Sequence, residues 1–140
     1  MSLKGPIIVI EDDEDDREFY GESLKTLEVE NEIIFFTHAE KAFKYLEITT
    51  EKPMLILSDI NLPGMSGIEL KRRIQDNPFL RSKSIPFIFL TTSSDKNSVV
   101  KAYEMMVQGY FVKPNSVPEL IILFARIIEY WKICKHPNTN

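Results

Sequence analysis

The stretch Met54-Leu-Ile-Leu-Ser58-Asp59-Ile-Asn-Leu-Pro-Gly-Met-Ser66-Gly67-Ile-Glu69 decides the fold. Residues 54–58 are an apolar run with little polar alternation, which suits a strand buried on both faces. Asp59 follows at once, and Pro63 and Gly64 lie in a turn-rich loop. Ser66 and Glu69 then form an S/T-x-x-E capping box, which satisfies two otherwise orphan backbone donors at a helix start. Ile68, Leu70 and Ile74 continue it as a helix-like segment over 67–75.

The same unit recurs on both sides. Apolar runs at 6–10, 33–37, 85–90 and 109–112 bring the number of expected strands to five. Between them, Ala39, Ala42, Phe43 and Leu46 follow the i, i+3, i+4, i+7 spacing of a helix with one buried stripe. Val99, Ala102, Tyr103 and Met106 do the same, as do Leu120, Leu123, Phe124 and Ile127. The segment 15–27 is less regular but also helix-like, through Phe19, Tyr20, Leu24 and Leu27. Thr37 with Glu40 and Ser116 with Glu119 repeat the capping box, and 76–84 reads as a long loop. Five strand-then-helix repeats, joined by connections too long for hairpins, imply right-handed crossovers and a parallel sheet between helical layers. The expected fold is a doubly wound five-stranded α/β domain.

Composition limits what such a domain does. The 140 residues are 44% hydrophobic and 27% charged, ordinary for a globular chain and near the size of one domain. We expect a single domain over 1–140, with its core over about 6–133 and a flexible tail over 134–140. Lys and Arg number 17 against 21 Asp and Glu, so no basic surplus favours direct binding to nucleic acid. The single cysteine, Cys134, has no internal disulfide partner, and no apolar run is long enough for a bilayer. A cytoplasmic protein without membrane contact is expected.

In an open parallel sheet, ligands bind outside the carboxyl ends of the strands, so the residues following each apolar run carry the chemistry. These are Glu11 and Asp12, Asp59, Thr91 and Thr92, and Lys113 with Pro114. Three carboxylates sharing a pocket are costly, because two charges about 4 Å apart repel by about 4 kcal/mol at an effective dielectric near 20. A helix N-terminus returns only about 0.3 to 1 kcal/mol per carboxylate, so the pocket needs cations or raised pKa values. Lys113 supplies one cation. The other is expected to be Mg²⁺, which prefers oxygen ligands and takes one or two carboxylates together with phosphate oxygens. His38 and His136 are isolated and form no competing metal cluster. Residues 11–16 are six consecutive carboxylates; Asp13 to Asp16 read as a solvated first helical turn, whereas Glu11 and Asp12 emerge at the pocket edge. A carboxylate beside a metal, a lysine and a hydroxyl suits phosphoryl transfer, with Asp59 as nucleophile and the Asn61 backbone carbonyl as a further metal ligand.

Ile10-Glu-Asp-Asp13, Asp59-Ile-Asn-Leu-Pro-Gly-Met-Ser-Gly67, Thr91 and Lys113-Pro114 resemble, in order and spacing, the receiver domain of two-component response regulators. The resemblance spans 6–131 and implies a flavodoxin-like (βα)5 fold with strand order 2-1-3-4-5. It implies that Asp59 accepts a phosphoryl group from the phosphohistidine of a sensor histidine kinase or phosphotransfer protein. Asp12 and Asp59 would ligate Mg²⁺, and Glu11 would hold the ion through water. Thr91 would donate its hydroxyl to one phosphoryl oxygen and Lys113 would pair with another. Tyr110, three positions before the lysine, would turn inward with Thr91 in a two-state switch. The family usually carries a cis bond at the position of Lys113-Pro114. Glu11 departs from the aspartate of many members, and Thr92 occupies a place often held by Ala or Ser.

The chain ends soon after its last expected helix, so the expected output is contact with a downstream protein target. Ile121, Ile128 and Trp131 lie off that helix's core stripe and are expected to form a dimer or partner face. Leu90-Thr-Thr-Ser-Ser94, the loop 76–84 and the Tyr130-Trp131 pair also resemble stand-alone regulators associated with phytochrome-type kinases. Two rival readings remain. A Mg²⁺-dependent phosphatase with an aspartyl nucleophile would carry a general acid two residues after it, where Asn61 stands and cannot deliver a proton. A receiver-like module that binds partners without phosphorylation does not need so complete a pocket. The expected protein is therefore no enzyme beyond its own phosphorylation and dephosphorylation.

Overall fold

All five apolar runs form strands; those at 7–10, 55–58 and 87–91 are buried throughout, whereas the two at the sheet edges leave Phe35 and Val112 exposed. The structure, a computed structural model, describes residues 2–137. Its strands are β1 (Ile7–Ile10), β2 (Ile33–Phe36), β3 (Leu55–Ser58), β4 (Phe87–Thr91) and β5 (Gly109–Val112). They pair in parallel in the order β2-β1-β3-β4-β5. The helices are α1 (Glu14–Thr26), α2 (Ala39–Ile48), α3 (Gly67–Asp76), α4 (Pro78–Ser82), α5 (Lys96–Glu104) and α6 (Val117–Ile133).

Side chains alternate across each strand, so neighbouring residues feed two separate cores. Ile8, Ile10, Ile56, Phe87 and Phe89 pack with Ala42, Leu46, Leu70, Leu80 and Ala102 of α2 to α5. Ile7, Val9, Leu55, Leu57, Ile88 and Leu90 pack with Tyr20 and Leu24 of α1 and Leu120, Phe124 and Ile127 of α6. Tyr20 meets Phe124 edge-on at 5.5 Å between ring centroids. The sheet is thus covered on both faces, as the sequence implies.

Local departures have local causes. The expected loop over 76–84 contains α4, started by Asn77, whose side chain accepts from Leu80 N at 3.1 Å with Pro78 behind it. Leu80 is buried and anchors the turn. Ser66 and Ser116 cap α3 and α6 as expected. Thr37 does not cap α2; its hydroxyl engages His38 Nδ1 at 2.8 Å, and His38 holds the cap position. On α5 only Ala102 of the expected stripe is fully buried, while Tyr103 and Met106 are exposed. The helix is short and stops before Met106, which takes a positive φ of 61° where the chain turns towards β5. Of the expected flexible tail, 138–140 lie outside the described residues. His136 is buried, its ring nitrogen meeting the Trp131 carbonyl, so the chain folds back on the end of α6 at that point.

Candidate functional site

The strand order reverses between β1 and β3, and the crevice beyond their carboxyl ends is where such sheets hold ligands. Sheet hydrogen bonding runs one residue past the strands and fixes the polar residues there. Glu11 N donates to Phe36 O at 3.0 Å, Asp59 N to Ile10 O at 3.0 Å, and Lys113 N to Thr91 O at 2.8 Å. The three side chains consequently converge. Lys113 Nζ lies 2.8 Å from Glu11 Oε2 and 3.1 Å from Asp59 Oδ2.

Asp59 is 8% exposed, and its other oxygen accepts from Ile60 N at 2.7 Å and Asn61 N at 3.3 Å. The Asn61 backbone thereby orients the carboxylate through its N–H. Gly67 N donates to Ile60 O at 2.9 Å, and a Cβ on Gly67 would lie 2.2 Å from Asp59 O. Only glycine lets α3 begin this close to the acidic loop. Asp12 is exposed, but one oxygen each from Glu11, Asp12 and Asp59 lie within 4.8 Å of one another. That is a set of hard oxygen donors fitted to a small divalent cation.

Both of the remedies that charge crowding demands are present. Burial pushes the Glu11 carboxyl up to about 7, helped by the charge of Asp59 and opposed by the hydrogen bond and charge of Lys113. Burial works against the Lys113 ammonium, but hydrogen bonds to Asp16 and Glu11 outweigh it and hold its pKa above the usual lysine value. Asp16 corrects the expectation that Asp13 to Asp16 are merely solvated: its Oδ2 lies 2.8 Å from Lys113 Nζ. The cause is helical spacing, since Asp16 stands four residues before buried Tyr20 on the inward side of α1. That i, i+4 relation to an apolar position was the available signal. Asp13 caps α1 by accepting from Asp16 N at 2.9 Å.

Thr91 is fully buried, and its hydroxyl oxygen accepts from Ser93 N at 3.4 Å. Tyr110 packs edge-on against Phe89 and donates its hydroxyl to Ser93 O at 2.6 Å. Both expected switch residues therefore meet on Ser93, whose part in coupling them the sequence does not mark. Ser93 is in turn tied to Asp95, the α5 cap, through a 2.7 Å hydroxyl bond. The Lys113-Pro114 bond is trans, the form any X-Pro bond prefers when nothing selects the other, against the family's usual cis.

Residues 7–125 match the model of the response regulator receiver domain family. The chain belongs to that family. This receiver domain is 33% identical over 130 residues to Response regulator Rcp1 of Synechocystis sp., a match covering 89% of the chain and 87% of that protein. Among solved structures it resembles the Mn²⁺-bound form of response regulator Rcp1, with 30% identity and a TM-score of 0.82 over 95% of this chain and 99% of that one. It also resembles the phosphorylated cyanobacterial phytochrome response regulator RcpA, with 27% identity and a TM-score of 0.86 over 96% of this chain and 99% of that one. The receiver domain is thus a module of two-component signalling close to these two regulators, and the matches favour neither the phosphatase nor the phosphorylation-independent reading. Among the described residues, no helix is long and apolar enough to cross a membrane.

Proposed function

We propose that Asp59 is the phosphoacceptor of a stand-alone response regulator and that Glu11, Asp12 and Asp59 assemble a Mg²⁺ site around it. One observation carries this reading: a nearly buried carboxylate at the end of β3 with an ammonium 3.1 Å away and two further carboxylates within reach. The donor set is all hard oxygen, with no sulfur or imidazole, which fits Mg²⁺. Asp12 and Asp59 would hold the ion directly, Glu11 through water, and the Asn61 carbonyl would complete the protein's share. The ion would supply charge neutralisation for the phosphoryl oxygens.

The remaining work falls to the chain. An Asp59 oxygen attacks the phosphorus of a phosphohistidine; the P–N bond breaks, and the imidazole leaves with the electron pair. The two N–H groups from Ile60 and Asn61 hold the other oxygen so that the attacking one stays aimed outward. Lys113 balances the charge that the new phosphoryl group brings. Thr91 donates its hydroxyl to a phosphoryl oxygen, which draws on its contact with Ser93 and so on Tyr110, biasing the β4–α5 loop between two arrangements.

The likeness to Rcp1 and RcpA supports a phytochrome-type histidine kinase as the donor and a cytoplasmic setting, with output through contact with a downstream protein. The dimer face on α6 falls on other residues than expected, and Trp131 is half-buried against the core. Ile128 is buried in the core and cannot serve, whereas Ile122, Tyr130 and Ile133 are exposed and form the apolar surface available for a second copy. The test is intact mass after incubation with acetyl phosphate and Mg²⁺, with light scattering on the same samples. The wild type should gain one phosphoryl group and Asp59→Asn none; equal labelling of both removes Asp59 from the role.

A further inference from the structure

The far end of the sheet from Asp59 holds a second, unbalanced group of charges. A cavity of about 220 Å³ lies where α3 ends and where β4 and β5 begin, bounded by α4 and the C-terminal part of α6. In a parallel sheet that is the opposite edge from the acidic crevice. Lys71, Gln75, Arg81, Ser84 and Trp131 line it, and no Asp or Glu does, in a chain where acids outnumber bases 21 to 17.

Lys71 is only 5% exposed. Its ammonium donates to the Gln75 side-chain carbonyl at 3.2 Å and lies 5.9 Å from the centre of the Phe87 ring. Among the described residues no carboxylate comes within ion-pair distance of it. The acids of α3 are already engaged, Glu69 by Arg72 and Arg73 and Asp76 by Arg72. Burial accordingly pushes the Lys71 pKa below the usual lysine value with nothing to hold it up. An ammonium has three donors, and here one neutral amide satisfies one of them. A methionine would fill this space without the desolvation cost, so the charge at this position calls for a counter-charge. Arg81 adds a second cation; one of its nitrogens is spent on Gln75 O at 3.1 Å, leaving further N–H groups for a planar or tetrahedral anion.

We propose that this cavity binds a small oxyanion, a carboxylate or phosphate group, seated between the Lys71 ammonium and the Arg81 guanidinium. The volume is below that of pockets for drug-sized ligands and matches such a group with a short apolar stem against Ile74, Ile85 and Pro86. Because the site lies at the other edge of the sheet, it is independent of the phosphoacceptor reading.

Trp131 is the chain's single tryptophan, so its fluorescence reports directly on the cavity. Sodium acetate and inorganic phosphate are titrated separately into metal-free protein at constant ionic strength made up with chloride. A saturable change with acetate alone assigns a carboxylate, with phosphate alone a phosphate, and with both the shared oxyanion chemistry. Lys71→Met should weaken the response by about tenfold or more while retaining the fold by circular dichroism. Arg81→Ala, at an exposed position, should weaken it without any demand on the core. Asp59→Asn should respond as the wild type does. No saturable change with either anion, or an unchanged response in both Lys71→Met and Arg81→Ala, overturns the proposal, as does loss of the response in Asp59→Asn.

Discussion

Lys113→Met separates charge balance from packing at the acidic crevice, because methionine keeps the stem and removes only the ammonium. In the wild type that ammonium faces Glu11 and Asp16 at 2.8 Å and Asp59 at 3.1 Å. Without it, carboxylates within 4.8 Å of one another repel by about 3.5 kcal/mol or more at an effective dielectric of about 20. Glu11 escapes this by staying protonated, which makes the penalty depend on pH. Its folded pKa of about 7 lies above the ordinary 4.5, so the folded protein holds the extra proton between those values. That contribution to stability is complete below about 4.5 and is lost as pH rises through 7. In the variant the hydrogen bond and charge of Lys113 no longer oppose the shift, so the folded pKa rises further and the loss continues past 7. Above that pH the variant therefore loses a further 1.4 kcal/mol or so per pH unit that the wild type does not. Urea unfolding without divalent metal should show the variant's stability deficit larger at pH 8 than at pH 5.5 by about 1.4 kcal/mol. Parallel pH profiles for the two proteins would refute the assignment of Glu11 as the buried, proton-holding acid.

Mg²⁺ binding should follow the same group with the opposite sign, since the ion needs Glu11 ionised: calorimetric affinity should fall by about 25-fold from pH 7.5 to 5.5 if one proton near 7 must leave. Glu11→Gln should flatten that dependence, and a flat wild-type profile would exclude Glu11 from the site. Gly67→Ala should cost about 2 kcal/mol and slow acetyl phosphate labelling, because the new Cβ lands 2.2 Å from Asp59 O and 2.9 Å from the Phe89 ring. Gly64→Ala, at φ +75° with its nearest neighbour a flexible Glu40 side chain at 3.3 Å, should cost about 1 kcal/mol and leave labelling intact. Equal labelling rates for the two variants would show that the Gly67 contact does not position Asp59.

What the sequence discloses and what it hides divide along the length scale of the interaction. The five strands are legible because each is a local apolar run, and in β1 the alternation of Ile7 and Val9 against Ile8 and Ile10 between two cores leaves no polar gap to misread; the edge strands β2 and β5 stay apolar although Phe35 and Val112 are exposed. The site is legible for a related reason: in a parallel sheet the residue after each strand is delivered to one edge by the backbone ladder itself, so Glu11, Asp59 and Lys113 meet without any side-chain information. Asp16 is hidden because its partner lies 97 residues away and it closes a run of six acids. Within such a run only the helix phase set by Tyr20 separates a solvated carboxylate from a paired one. Ser93 is hidden differently, since it couples Thr91 to Tyr110 through its backbone N–H and C=O, which every residue carries and no sequence pattern marks. Lys71 shows the limit of periodicity in the other direction. On α3 the spacing from Gly67, Leu70 and Ile74 places position 71 on the inward face, yet a lysine letter there reads as solvent-exposed until its burial is seen. Charge in this receiver domain is thus placed by two rules at once: at the carboxyl edge the ladder gathers acids around one lysine, and at the amino edge a helix phase buries a cation that the local sequence leaves unopposed.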